Sequence, residues 1–453
     1  MEVLYTIFHF IVAIGILVAF HEFGHFWVAR KVGVKVEKFS IGFGKVICSF
    51  QKTPESTEYV ISAIPLGGYV KMVDEREGNV KPEDLPYAFN RQPLLARTAI
   101  VAAGPIFNIL LAIVLFWSVF SIGEKGVRPI VGTIEAGTLA EQAGFKEGEE
   151  IISVNDKNAP IWTEAMNLLF TSALQGKKEI KVAVINSDDI ELLHWIQFSE
   201  NDANSPEKLY QRLGLKPWTP KMDPVIGKVV ENSPASVAGL QKSDLIITAD
   251  GEIINEWMQW VEYVRSRPEV SIALVVEREG VHIPLSIVPE RIENEEKDFG
   301  RIGAGVDVPE DLIDSLIVEY TLPPMEGLIA ALERTWFYSS STLKMMGKML
   351  IGKVSAKNLS GPISIAQFAG KSAERGLVHF LKFLAIISVS LGVINLLPVP
   401  VLDGGHLMFF AIEAIKGSPV SDKVQIYFQQ FGMLMLMSLM IFAVFLDIER
   451  LFQ

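Results

Sequence analysis

Cysteine is almost absent: Cys48 is the single one in 453 residues. That excludes any disulfide within the chain, so whatever stands in water must be held by its own hydrophobic cores. Cys48 itself is expected to be a plain buried residue. The N-terminus, Met1-Glu2-Val3-Leu4-Tyr5, lacks the basic region and small-residue cleavage site of a signal peptide, which predicts that the first apolar helix is retained. Basic charge is also scarce. The formal net charge is −12, and residues 121–310 hold 32 acidic against 19 basic side chains, so this one region carries the excess. Such a surface argues against nucleic acid as a partner.

Apolar residues are plentiful. They make up 49% of the chain, with a mean hydropathy of +0.31, too high for an ordinary soluble protein and too low for one that is all membrane. From Val3 to Phe20 no charge occurs, and after a short polar interruption Phe26-Trp27-Val28-Ala29 continues the run to Arg30-Lys31. A spanning helix needs about 20 apolar residues, so the interruption belongs to the span.

That interruption is His21-Glu22-Phe23-Gly24-His25. On a helix, positions i and i+4 lie one above the other, so both imidazoles can reach one zinc ion. Glu22 is placed to take a proton from water whose pKa such a site lowers to about 7. An ionisable group at membrane depth costs at least ~2.5 kcal/mol, and three in little more than one turn would oppose insertion unless they shared a partner. His9, alone near the start, reads instead as a packed or interfacial histidine.

Arg30, Lys31, Lys35 and Lys38 follow the first span, and Arg91 and Arg97 precede the second, which predicts a cytoplasmic loop over 31–96 and an N-terminus outside. In that loop Val34 to Phe39 alternates, and Tyr59–Ile64 and Tyr69–Val73 flank Pro65-Leu66-Gly67-Gly68, the pattern of a hairpin around a turn. An exposed sheet edge beside the zinc could take an unwound substrate as an extra strand; a merely structural hairpin is the alternative. The second span, 97–123, contains Gly104-Pro105 and Asn108, tolerated in lipid where neighbouring helices satisfy the backbone.

Residues 127–310 hold an internal repeat. At a constant offset of 95, Gly132 matches Gly227, Ala140 matches Ala235, Ala143-Gly144 matches Ala238-Gly239, and Ile151-Ile152 matches Ile246-Ile247. This frame resembles PDZ domains of bacterial membrane proteases, which implies two small β-rich modules, 124–220 and 221–310, for recognition or filtering. Glu293 to Asp298 reads as a solvated charged stretch. In 311–378, Met325, Leu328, Leu332, Trp336, Leu343, Met346 and Leu350 recur at helical spacing with Arg334, Lys344 and Lys348 opposite, either an amphipathic helix on the outer membrane surface or a core-facing one.

A third span over 379–403 ends in Asn395-Leu396-Leu397-Pro398-Val399-Pro400-Val401-Leu402-Asp403. Two prolines break the helix where a carboxylate appears at depth; a helix cap is one reading of Asp403, and with His21 and His25 elsewhere in the membrane the favoured one is the third ligand, with zinc's fourth position left open. Lys416 and Lys423 place the loop 404–423 inside, so a fourth span in 424–453 returns the C-terminus outside and all three ligands meet near one face.

The motif at 21–25, Asn395-x-x-Pro398-x-Pro400-x-Leu402-Asp403-Gly404 and Gly104-Pro105-x-x-Asn108 together resemble the site-2 protease family of intramembrane zinc metalloproteases, in its Gram-negative subgroup with tandem PDZ-like domains. The resemblance implies a multi-domain membrane protein: four transmembrane helices, a small membrane-associated β-hairpin or sheet, and two PDZ-like domains. It implies one Zn2+ held by His21, His25 and Asp403, with Glu22 as acid/base. It places Asn395, Pro398 and Gly67-Gly68-Tyr69 near substrate, and Asn358 to Pro362 in a family stretch. The implied partners are the bilayer, single-span membrane proteins such as shortened anti-sigma factors and remnant signal peptides, and a peptide or periplasmic ligand at the PDZ-like grooves. A protease cutting cytosolic loops would need the motif beyond the span, and a PDZ-bearing scaffold with a vestigial metal site would be indifferent to Glu22→Gln.

Overall fold

The computed structural model describes residues 2–451 except 77, 175–176, 199–205, 293–297 and 352–360. Asn358-Leu359-Ser360 and most of the charged stretch at 293–298 therefore lie outside the described residues. The chain divides into two units, one of residues 1–124 with 321–453 and one of residues 125–320.

In the first unit, four helices are long and apolar enough to cross a membrane: α1 (Glu2–Lys31), α2 (Leu94–Ile122), α5 (Leu377–Asn395) and α7 (Asp422–Leu451). Between α2 and α5 in sequence come α3 (Pro324–Leu350) and α4 (Pro362–Glu374), and α6 (Asp403–Lys416) stands between α5 and α7. Helix α2 is the most covered of the four spans. Glycines let its neighbours close on it, for a Cβ at Gly24 of α1 would lie 2.5 Å from the Ala103 carbonyl oxygen, and one at Gly392 of α5 would lie 2.9 Å from that of Pro105.

The third span ends earlier than the sequence suggests. Helix α5 stops at Asn395, residues 396–402 form turns, and Asp403 is the first residue of the separate helix α6. The prolines act one turn sooner than expected because each disfavours helix in the residue before it.

The sheet of the loop is present, but its pairing differs from a hairpin turning at Pro65–Gly68. Strand β1 (Val36–Phe50) and strand β2 (Glu58–Met72) are joined by residues 51–57. Both bend, and the first half of β1 lies between two parts of β2: Phe39 is partnered by Val70 and also by Tyr59, and Ile41 by Gly68 and also by Ile61. The expected turn is thus a bend within β2, with Gly67 at φ +138°, and Tyr59–Ile61 and Gly68–Met72 are held apart by the strand between them. Cys48, expected to be buried, is exposed, because residues 43–50 of β1 run beyond the core that Val34, Val36 and Phe39 build against α1.

Helix α3 is amphipathic, and its apolar stripe does not face a core, which leaves the membrane-surface alternative; Arg334, expected on the side opposite that stripe, is buried. Gly327, Ala331, Arg334 and Thr335 are the buried positions, whereas Met325, Leu332, Trp336 and Leu343 are exposed. Small residues allow close packing on α2 and α5; Arg334 sits over the Phe120 ring and Tyr338 stacks on Phe116. His9 is packed as anticipated, edge-on to Phe380 and hydrogen-bonded to the Tyr5 carbonyl.

The second unit contains two four-stranded sheets of one strand order. Glu150–Val154 corresponds to Leu245–Ala249 and Lys157–Asn158 to Glu252–Ile253, both at the offset of 95. Thr138 and Ser233, again 95 apart, cap the short helices that follow them. Gly214 and Gly303, both with positive φ, press against those same capping side chains, leaving no room for a Cβ. Each repeat closes its own core, around Leu169 and Val182 in the first and Trp260 and Leu274 in the second.

Candidate metal centre

The first-span motif folds as helix throughout, so His21 and His25 present their rings to α2 from consecutive turns. Helix α2 answers with a stripe at the same spacing, Ile100, Gly104 and Asn108. The Nδ1–H of His25 donates to the Ile100 carbonyl at 2.9 Å, and the Asn108 amide lies 3.0 Å from His21 Nδ1. Gly104 is the floor between them, since a Cβ there would strike His25 Nε2 and come within 2.9 Å of His21 Cε1.

With Nδ1 engaged, each ring turns Nε2 toward a common point, and Asp403 of α6 reaches it. His21 Nε2 and His25 Nε2 are 3.3 Å apart and lie 3.1 and 3.5 Å from Asp403 Oδ2. Asp403 Oδ2 is buried with no hydrogen-bond donor among the described residues. Two of the three separations fall within the edges, about 3.3–3.6 Å, of a tetrahedron whose ligand bonds are the 2.0–2.2 Å typical of zinc, and the third, 3.1 Å, is slightly shorter. Three residues offer nitrogen, nitrogen and oxygen to one point, the donor set of a hydrolytic zinc site, so this chain's residues fit the ion.

Asp403 is aimed by its surroundings. Gly404 packs on the Leu397 carbonyl and Gly405 on that of Val399, approaches that a side chain would block. Val401, a β-branched residue at φ +85°, holds a conformation costing of order 1–3 kcal/mol. Further along α6, Glu413 takes a two-pronged ion pair from Arg97 of α2 at 2.6 and 3.2 Å, and Arg97 also lies over the Phe410 ring.

A cavity of about 450 Å3 opens on this point. Of the residues the sequence placed at the chemistry or near substrate, Glu22, Gly68, Tyr69 and Asn395 line it, and Gly67 and Pro398 do not. Gly68 brings β2 hard against α1, because a Cβ there would meet Glu22 Cγ at 2.8 Å. Sequence reasoning missed Arg76, His406 and the Arg97–Glu413 pair, all on the cavity wall. Arg97 was legible only as an orienting charge, and nothing local ties it to a glutamate 316 residues on.

Comparison with known proteins agrees with this architecture. The model of "Peptidase family M50" matches residues 9–439. The chain is 44% identical over 454 residues to the "Regulator of sigma-E protease RseP" of Escherichia coli (strain K12), covering 99% of each. It is 43% identical to the "Protease RseP" of Yersinia pestis and 40% identical to the "Regulator of sigma E protease" of Haemophilus influenzae, covering 100% of each chain in both cases. A match along nearly the whole length, with a zinc-fitting trio built across apolar helices, makes this chain a member of Peptidase family M50, an intramembrane zinc metalloprotease.

Proposed function

We propose that His21, His25 and Asp403 hold the zinc and that Glu22 moves the proton, in cleavage of the transmembrane segments of single-span proteins. The convergence of His21 Nε2, His25 Nε2 and Asp403 Oδ2 at 3.1–3.5 Å, beside a cavity that Glu22 lines, carries the reading. When bound there, zinc lowers the pKa of water to about 7 and polarises a carbonyl. Glu22 accepts the attacking water's proton and returns it to the leaving amine nitrogen, as a general base and then a general acid. A helix in lipid hides its carbonyls in hydrogen bonds, so the substrate must unwind before it can be cut. The edge of β2 at Gly68–Met72 lines the cavity in part and offers backbone groups to the unwound stretch. Tyr69 flanks it, Gly67 makes the bend that exposes the edge, and Asn395, with Pro398 ending its helix, offers an amide to the substrate backbone from the opposite wall.

The relatives' names speak of regulating sigma-E, and the substrate class that the family resemblance implies is anti-sigma factors already shortened outside the membrane, together with remnant signal peptides. The acidic PDZ-like repeats, 124–220 and 221–310, act as a filter against bulky outer domains and offer peptide grooves. The termini and repeats face the periplasm across the inner membrane, and the zinc lies nearer the cytoplasm. Basic residues at both ends of 31–96 support that orientation. A cysteine placed at Lys52 with Cys48→Ser should react with a membrane-impermeant maleimide in inverted vesicles only; reaction in right-side-out cells would reverse the topology.

The central test uses purified chain and a single-span reporter, with and without a folded outer domain. Wild type should carry one zinc and cut only the reporter without that domain. Glu22→Gln should keep its zinc and lose at least 10²–10⁴-fold in rate. A metal-free wild type whose Asp403→Ala form still cuts would overturn the site, and equal cutting of both reporters would remove the filter.

A further inference from the structure

Asn108 is fully buried in α2, and its two amide atoms tell different stories. Nδ2 lies 3.0 Å from His21 Nδ1, whereas Oδ1 has no hydrogen-bond partner among the described residues. His25 shows what the neighbouring ring requires. Its Nδ1 faces a carbonyl oxygen, which fixes the proton on Nδ1 and leaves the Nε2 lone pair free to point at Asp403. His21 Nε2 points at the same oxygen and needs the same tautomer. The group facing its Nδ1 must then accept a hydrogen bond, and Asn108 is the side chain there. Exchanging the amide's oxygen and nitrogen supplies the acceptor without moving either atom's position; it leaves the NH2 in the place that has no partner among the described residues, so the ring's need for an acceptor decides the orientation.

From this we infer that Asn108 is a positioning residue for the metal: it accepts the His21 Nδ1–H, sets that ring's tautomer, and holds its Nε2 toward the ion. The inference rests on the reading of His21, His25 and Asp403 as ligands. Helix α2 would supply both outer partners from positions eight residues apart, the Ile100 backbone carbonyl for His25 and a side-chain carbonyl for His21. Only the second can be changed by substitution. Ser388 provides the control for packing, since its hydroxyl donates to the backbone carbonyl of Asn108 at 2.7 Å and touches the amide's helix without serving the ring.

The test measures zinc retention of the full-length protein against a competing chelator, with the visible spectrum of the Co2+-loaded form as a second readout. Asn108→Leu, close in shape but unable to accept, should lose about 10–100-fold in zinc affinity and shift the cobalt spectrum. Asn108→Asp, which keeps an acceptor, should restore the affinity to within a few-fold of wild type. Ser388→Ala should bind zinc like wild type. Wild-type affinity in Asn108→Leu would overturn the role, as would a Ser388→Ala form equally weakened, or an Asp form no better than Leu. A wild type that holds no zinc at all would instead bring down the ligand assignment itself.

Discussion

Asp403 of the first unit and the buried carboxylates of the second unit are treated in opposite ways. In the second unit, fully buried Asp244 takes both prongs of Arg278 and the backbone N–H of Gln241, and Glu149 at the corresponding place in the first repeat takes the N–H of Lys146 and lies 3.0 Å from His194 Nε2. In the first unit Asp403 Oδ2 is buried beside two ring nitrogens with no hydrogen-bond donor among the described residues. The contrast does not come from the helical surroundings. Asp447 of α7, in the same unit, accepts from the backbone of Gly361, Ile363 and Ser364 and from the Ser364 hydroxyl, capping the start of α4. A carboxylate that serves the fold is saturated with donors, and one left short of them beside converging imidazoles is, on the proposed reading, kept for a cation.

The sharpest way to break this comparison is to fill the floor of the centre. Gly104→Ala puts a methyl group against both rings, so zinc content and cleavage should fall to background while the repeats unfold as before. Metal analysis alongside thermal unfolding reads both, and full zinc occupancy would show that the rings stand elsewhere. The smaller effect is expected on the other side. Arg278→Leu strands Asp244 without its main donor and should destabilise the second repeat by about 3 kcal/mol, the low end for a broken buried pair because Arg278 is itself a quarter exposed. Hydrogen exchange should show that loss in residues 221–310 with zinc content unchanged. A loss of zinc on this change would mean that the carboxylates of the two units are not independent.

Much of the centre could be read before any fold was known. A spacing of four on a helix converts directly into direction, so His21 and His25 were legible, and a carboxylate after two prolines within an apolar run announces itself by its cost. Partnership across the chain was not legible. Alternation identifies a strand without naming its neighbour, so Tyr59–Ile64 and Tyr69–Val73 looked like a pair although β1 runs between them. The stripe on α3 left two readings open for a different reason. An apolar face predicts burial only when the surroundings are water, and on a helix packed against membrane spans the small and polar positions turn inward, as Gly327, Thr335 and Arg334 do. Asn108 was visible only as a polar residue needing a neighbour. Its part depends on which of two amide atoms faces a ring 87 residues away.

The close fit of Gly68 against Glu22 has a further consequence. A sheet that cannot tolerate even a methyl group at that contact cannot slide along α1, so a chain laid beside residues 68–72 is registered against the carboxylate as cloth is against a yardstick. On the proposed mechanism, the bond that breaks is then chosen by its distance along the held strand. Shifting an identical segment by two residues within the same substrate should relocate the cut rather than abolish it.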